Sequence, residues 1–185
     1  ILSNLSNIEY GKIIRNELTE EEKDKINNIK LNVLESQLVI KSDFNFNYSI
    51  EALSSDVFNT RTYFKFDFLF IDDSSTLTTT GNIEEVHKFN LIYRQLNNIA
   101  LAYDSVVLLS FASQSSSEGK NILRSEDVAD SFSLARSASI ILSLNMTDEE
   151  RLNHELRLYL EKQKFGIKGI TFNLKTNYSI CNLIN

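Results

Sequence analysis

A run of apolar residues, Phe66, Phe68, Leu69, Phe70 and Ile71, ends abruptly on two adjacent carboxylates, Asp72 and Asp73, followed by Ser74, Ser75 and Thr76. A strand with one face in water alternates apolar and polar residues, whereas an apolar run without alternation suits a parallel sheet covered on both faces. The stretch from Phe66 to Ile71 therefore predicts a buried strand. In open α/β sheets ligands bind beyond the carboxyl ends of the strands, and the paired acids stand at that end. A carboxylate there can hold Mg²⁺, directly or through water, while the ion bridges phosphate oxygens. The competing explanation is a strand that simply runs into a loop, with Asp73 and Ser74 starting a turn or capping a helix.

The flanking sequence alternates helices and strands. Thr19-Glu20-Glu21-Glu22 has the form of a capping box opening a helix to about Leu34, with Ile26, Ile29 and Val33 on its buried side. Leu38-Val39-Ile40 is a short strand candidate. Val86, Phe89, Tyr93, Leu96, Ala100 and Tyr103 recur at spacings of three and four, one face of a helix from about Ile83 to Tyr103. Val106 to Phe111 and Ser139 to Leu144 are two further buried strand candidates. This order points to an α/β domain with a mainly parallel sheet flanked by helices. Later, Leu156, Leu158 and Leu160 alternate with Arg157, Tyr159 and Glu161, and Ile170, Phe172 and Leu174 alternate with Thr171, Asn173 and Lys175. These are two half-buried strands of a C-terminal β-hairpin. Its turn, Glu161 to Gly169, carries Lys162, Lys164 and Lys168 with Gly166 and Gly169, a basic tip that is also what a solvated turn looks like.

Composition narrows the classes. With 185 residues, 42% hydrophobic and 24% charged, the chain is one domain's worth of ordinary globular sequence. A net charge of −6 argues against a surface that clings to nucleic acid everywhere, but leaves room for a local basic loop or a channel built by several subunits. The single cysteine, Cys181, excludes an internal disulfide, and His87 and His154 have no zinc-ligand spacing. No apolar run is long enough to span a bilayer and no signal peptide is visible, so a soluble, cytoplasmic protein is expected. The chain starts at Ile1 rather than Met, and an upstream segment is expected to precede it.

The strand after the long helix ends in Ser113, Gln114, Ser115 and Ser116, and an amide at that position can sense a γ-phosphate or orient a water. Two strands thus end in chemistry suited to a nucleotide. From about Leu2 to Leu183 the chain resembles, in order, the C-terminal RecA-like ATPase domain of hexameric replicative helicases of the DnaB type, particularly the phage versions. "LSNLSNIEYGKIIRNELTEEE", "FLFIDDSSTL", "IYRQLNNIALAYDSVVLLSFASQ", "SEDVADSFSLARSASIILSL" and "LRLYLEKQKFGIKGITFNL" carry the likeness. The resemblance implies ATP and Mg²⁺ as cofactors, with Asp72 as the Walker B acid (Asp73 beside it) and Gln114 as the sensor. It implies that Lys162 and Lys164 form a basic finger reaching the neighbouring subunit's nucleotide, and that Ser115 to Arg136 line a central channel. Lys120, Arg124 and Arg136 would there meet phosphates of single-stranded DNA. A homo-oligomeric, hexameric ring is implied, with a primase or helicase loader as a further partner. Here Lys164 stands where the family has arginine, which keeps the charge but loses the planar fork.

One departure is large. A P-loop reads G-x-x-x-x-G-K-[ST], and the glycines at 11, 81, 119, 166 and 169 never give that spacing. In the family that loop, and the glutamate that activates water, lie upstream of the segment resembled here, so the expectation is a partial RecA-like domain over 1–185 without its N-terminal part. The favoured reading is the C-terminal part of an ATP-driven DNA-unwinding motor. The alternatives are a non-catalytic paralogue acting as an assembly or DNA-binding subunit, and a RecA-like recombinase or clock-type ATPase.

Overall fold

The structure, a computed structural model, describes residues 1–36, 38–42, 48–81, 84–114, 117–128 and 135–184, without the side chains of 85 and 86. The chain divides into two compact units, one formed by Ile1–Ile40, Leu144–Tyr159 and Ile170–Asn185, the other by Lys41–Ser143 and Leu160–Gly169.

In the first unit, helices α1 (Leu2–Ser6), α2 (Tyr10–Arg15) and α3 (Glu20–Glu35) open the chain. The expected capping box is present at α3: the Glu22 N–H donates to the Thr19 hydroxyl at 3.2 Å, and the Thr19 N–H to the Glu22 carboxylate at 2.9 Å. Glu22 also receives Lys12 at 3.0 Å, fastening α2 to the start of α3. These bonds, the Thr19 amide first, hold the Glu22 carboxyl below its ordinary pKa. Of the residues expected beneath the helix, Ile26 is buried while Ile29 and Val33 are half-buried. Leu38, Val39 and Ile40 form no strand; all three lie exposed, and a lone apolar triplet without a partner edge has no ladder to join.

The second unit holds the predicted apolar run. It contains α4 (Ile50–Arg61), strand β1 (Phe68–Ile71), α5 (Glu85–Tyr103) and strand β2 (Val106–Leu109). The strands pair in parallel, Phe68 opposite Val106 through Ile71 opposite Leu109, with α5 as the crossover between them. The Ile83 start expected for that helix lies outside the described residues. Ile50, Leu53 and Val57 of α4 and Ile92, Tyr93, Leu96 and Ile99 of α5 bury together with Leu77, and Leu69, Ile71, Val107 and Leu109 pack against them. Ile50 and Ile92 are wholly enclosed; burying such a side chain contributes roughly 1.5–3 kcal/mol. Arg61, at the end of α4, donates to the carbonyls of Phe66 (2.8 Å) and Tyr103 (3.1 Å), and its guanidinium lies over both aromatic rings. One side chain thereby fixes where β1 begins relative to the end of α5.

The expectation that these strands are covered on both faces fails. Phe68 and Phe70 are 59% and 73% exposed, and Val106 and Leu108 on β2 are exposed as well. Side chains alternate across a strand, and α4 and α5 cover only the face that carries Leu69, Ile71, Val107 and Leu109.

Four later strands, β3 (Ile140–Asn145), β4 (Glu155–Gln163), β5 (Ile170–Asn177) and β6 (Asn182–Ile184), lie side by side in that order, β5 and β6 antiparallel. β3 also alternates, with Ile140, Leu142 and Leu144 exposed. The expected hairpin is β4 and β5. Its turn closes where the Gly169 N–H donates to the Leu160 carbonyl at 2.8 Å, and Gly169 there has a φ of +82° that other residues rarely adopt. A short helix α6 (Asp148–Leu152), capped by a second Thr-Glu box at Thr147 and Glu150, precedes β4.

Candidate nucleotide site

The carboxyl ends of β1 and β2 bring the first predicted site residues together. The parallel register places residue 72 beside residue 110, and the Ser110 hydroxyl donates to Asp72 Oδ1. Ser74 returns the connection, its N–H (3.2 Å) and hydroxyl (2.7 Å) donating to the Ser110 carbonyl. Asp72 is exposed, at the edge where a ligand would enter. Asp73 is engaged locally instead. Its carboxylate accepts the Ser75 N–H and hydroxyl, both at 2.8 Å, capping a 3-10 turn over Ser74–Thr76. The turn-capping explanation therefore holds for Asp73, while Asp72 stays turned toward the strand end.

Beyond β2 the chain runs extended to Gln114, whose side chain is exposed. The Gln114 N–H donates to the Asp127 carbonyl at 2.8 Å, and its carbonyl accepts the Ser117 N–H at 2.9 Å. Asp127 is the tie in this region. Its carboxylate, 3% exposed, accepts the Ser117 hydroxyl at 2.8 Å, the Arg124 N–H at 2.8 Å and the Lys120 ammonium. Lys120 foremost, then the Arg124 amide and Ser117, hold the Asp127 carboxyl down to about 2. Lys120, expected to meet DNA, is thus drawn onto a carboxylate of its own chain. Arg124 and Arg136 are exposed. Ser115, where the expected channel segment begins, and residues 129–134 within it lie outside the described residues.

The hairpin lysines also separate. Lys162 is half-buried, and its ammonium donates to the carbonyls of Ala135 (2.6 Å) and Ala138 (2.5 Å) in its own chain. Lys164 is exposed at the tip, its ammonium over the ring of Phe165, which is itself 89% exposed. Of the pair, Lys164 is the one presented outward.

Sequence reasoning passes over Ser110, Asp127 and Glu161. For Ser110 a signal is at hand: strands Phe68–Ile71 and Val106–Leu109 of equal length, paired in parallel, put the residues that follow them side by side. Nothing local distinguishes Asp127 or Glu161 from surface acids.

Among the described residues no group of three His, Cys, Asp or Glu is arranged to hold a metal. Mg²⁺ is commonly held by one or two carboxylates together with the substrate's phosphates and water. Asp72, exposed and oriented by Ser110, fits such a part.

The fold has solved counterparts. The ATPase domain of the protein G40-P superposes with a TM-score of 0.85 at 20% identity, covering 100% of this chain and 68% of that one. A DnaB-like replicative helicase, described with its interactions with primase, gives 0.82 at 20% identity, covering 100% of this chain and 46% of that one. This chain has the DnaB-like ATPase fold. Asp72 stands at the carboxyl end of β1, Gln114 beyond the end of β2, Lys162 on β4 and Lys164 in the turn that follows it. No family model matches the chain, and no curated protein matches it in sequence. The DnaB-like fold is therefore recognised through its structure, and the chain spans under half of the replicative helicase.

Proposed function

We propose that the chain forms part of an ATP-driven, ring-shaped DNA helicase, supplying the Mg²⁺ carboxylate and the sensor of one nucleotide site and a cation to the next. The observation that carries this is the Asp72–Ser110 bond at the carboxyl edge of the parallel pair. Bound Mg²⁺ supplies charge neutralisation on the phosphates. Asp72 holds its share of the coordination in a fixed direction, because Ser110 and Ser74 lock the two strand ends together. Gln114, exposed beyond the end of β2, would supply the amide that orients water or reads the terminal phosphate. Lys164 offers a positive charge to the negative charge carried by the transferring group of an adjoining protomer.

Single-stranded DNA would be held by phosphate contacts that ignore sequence, with Arg124 and Arg136 on the stretch facing it. Among the described residues no helix is long and apolar enough to cross a membrane; the proposed role in replication would place the protein in the cytoplasm. Primase or a loader is the partner this role would require.

A second reading, a non-catalytic assembly or DNA-binding subunit, is favoured by the lack of a G-x-x-x-x-G-K-[ST] run in these residues. ATP hydrolysis and strand separation measured on the full-length protein, with Asp72→Asn as control, separate the two. Mg²⁺-dependent turnover that Asp72→Asn lowers supports the motor; DNA binding without turnover supports the second reading.

A further inference from the structure

Two described pieces of chain, the Ser125–Asp127 turn and the residues from Ala135 to Ala138, are fastened to β4 by two consecutive residues. The Glu161 carboxylate accepts two bonds from Ser125, the N–H at 2.7 Å and the hydroxyl at 2.8 Å. Lys162 then donates to the carbonyls of Ala135 and Ala138. Successive residues of a strand point to opposite sides, so β4 meets the Ser125 turn from one face and these carbonyls from the other. Two positions further on stands Lys164, whose own N–H donates to Ser139 at 3.0 Å.

Ser125 opens a 3-10 turn, Ser125–Asp127, whose last carbonyl receives the N–H of Gln114. A continuous set of bonds therefore runs from Gln114 through Asp127 and Ser125 to Glu161, and along the backbone to Lys164. A solvated turn has no use for a carboxylate whose two oxygens are both committed to one serine. Charge-assisted, two-point bonding fixes orientation as well as distance.

We infer that Glu161 is a positioning residue that couples the DNA-facing stretch to the sensor Gln114 and to the outward cation Lys164. The inference rests on the proposed helicase function. A strand of DNA that shifts the stretch would shift Ser125, and through Glu161 would move β4 and Lys164 with it.

The test is hydrolysis by the full-length protein with and without single-stranded DNA, for wild type, Glu161→Ala, Glu161→Gln and Ser125→Ala. Glu161→Ala is expected to lower stimulation by DNA about 10-fold, a typical coupling between sites, while the rate without DNA and the KM for ATP stay unchanged. Glu161→Gln keeps one acceptor oxygen and should recover part of the stimulation, which a residue needed only for folding would not show. Should Glu161→Ala fail to fold, Ser125→Ala decides, since it removes the hydroxyl bond and leaves the N–H bond in place; an intermediate loss supports the coupling. Full stimulation in a folded variant of either residue overturns the inference and leaves the helicase reading intact. A wild-type protein whose hydrolysis ignores DNA removes that reading, and the coupling falls with it.

Discussion

The Ser110 hydroxyl, at the end of β2, donates to the carboxylate of Asp72, at the end of β1. The bond crosses between strands that are far apart in sequence, so the direction of the acid is set by its neighbour and not by its own loop. Asp73, one residue on, turns away to cap the Ser74–Thr76 turn. Adjacent carboxylates of identical chemistry are thereby given different work.

Substitution should expose that division. Asp72→Asn is expected to lower Mg²⁺-dependent turnover about 100-fold, the rate equivalent of losing several kcal/mol of charge stabilisation. Asp73→Ala should leave turnover intact and cost about 1 kcal/mol of stability, the value of a helix cap. Ser110→Ala should weaken Mg²⁺ activation about 10-fold, as loss of a ligand's hydrogen-bond partner does. Mg²⁺ titrations of hydrolysis together with urea unfolding read all three, and turnover lost in Asp73→Ala but kept in Asp72→Asn would exchange the assignments.

The hairpin lysines should likewise part company. Lys164→Ala is expected to abolish DNA-stimulated hydrolysis without disturbing ring assembly seen by sedimentation. Lys162→Ala removes a donor from the carbonyls of half-buried Ala135 and Ala138, a loss of about 1 kcal/mol, visible as a lowered urea midpoint. Equal stability of the two variants would refute this division.

Acid should loosen the Asp127 tie. Its carboxyl is held below the ordinary 3.8, at about 2, so the folded state binds the proton later than the unfolded chain does. The stabilisation is fully present above the ordinary value and is lost as pH falls from 3.8 toward about 2. Unfolding followed against pH, wild type beside Asp127→Asn, should show the wild-type advantage fading across that window; an advantage constant with pH would contradict it.

Salt should distinguish the three cations expected to face DNA. Each lost phosphate contact lowers the slope of log K against log salt by about 1. That change is expected for Arg124→Ala and Arg136→Ala. Lys120, committed to Asp127, should leave the slope unchanged and reduce stability instead. Affinity for a single-stranded oligonucleotide measured over a salt series gives the result directly.

Much of this is legible in residues close in sequence. The Thr19 box, the α5 stripe, the apolar run before Asp72 and the alternation in β4 and β5 are local patterns, and local physics produces them. Helix α4 is absent from the expected elements although Ile50, Leu53 and Val57 have helical spacing and Ser49 caps it, its hydroxyl accepting from Ala52. The exposure of Phe68 and Phe70 escapes a reading of the residues because an apolar side chain does not disclose what lies opposite it. At the site, Asp72 is legible as a polar residue ending an apolar strand, whereas Gln114, expected to end the next one, stands beyond the Leu109 end of β2. Ser110, Asp127 and Glu161 act through partners fixed by strand register and a turn, and register is a property of the folded chain.

The seat of Lys162 has a consequence for how this hairpin can drift over generations. A compact ammonium fits between the Ala135 and Ala138 carbonyls, whereas a planar guanidinium would need a different spacing of acceptors. Position 164, outward and solvated, has no such seat in its own chain, and a guanidinium there would add the planar fork that an ammonium lacks. Arginine should therefore be accepted at 164 and selected against at 162, so that two neighbouring basic residues of one motif evolve under unlike constraints.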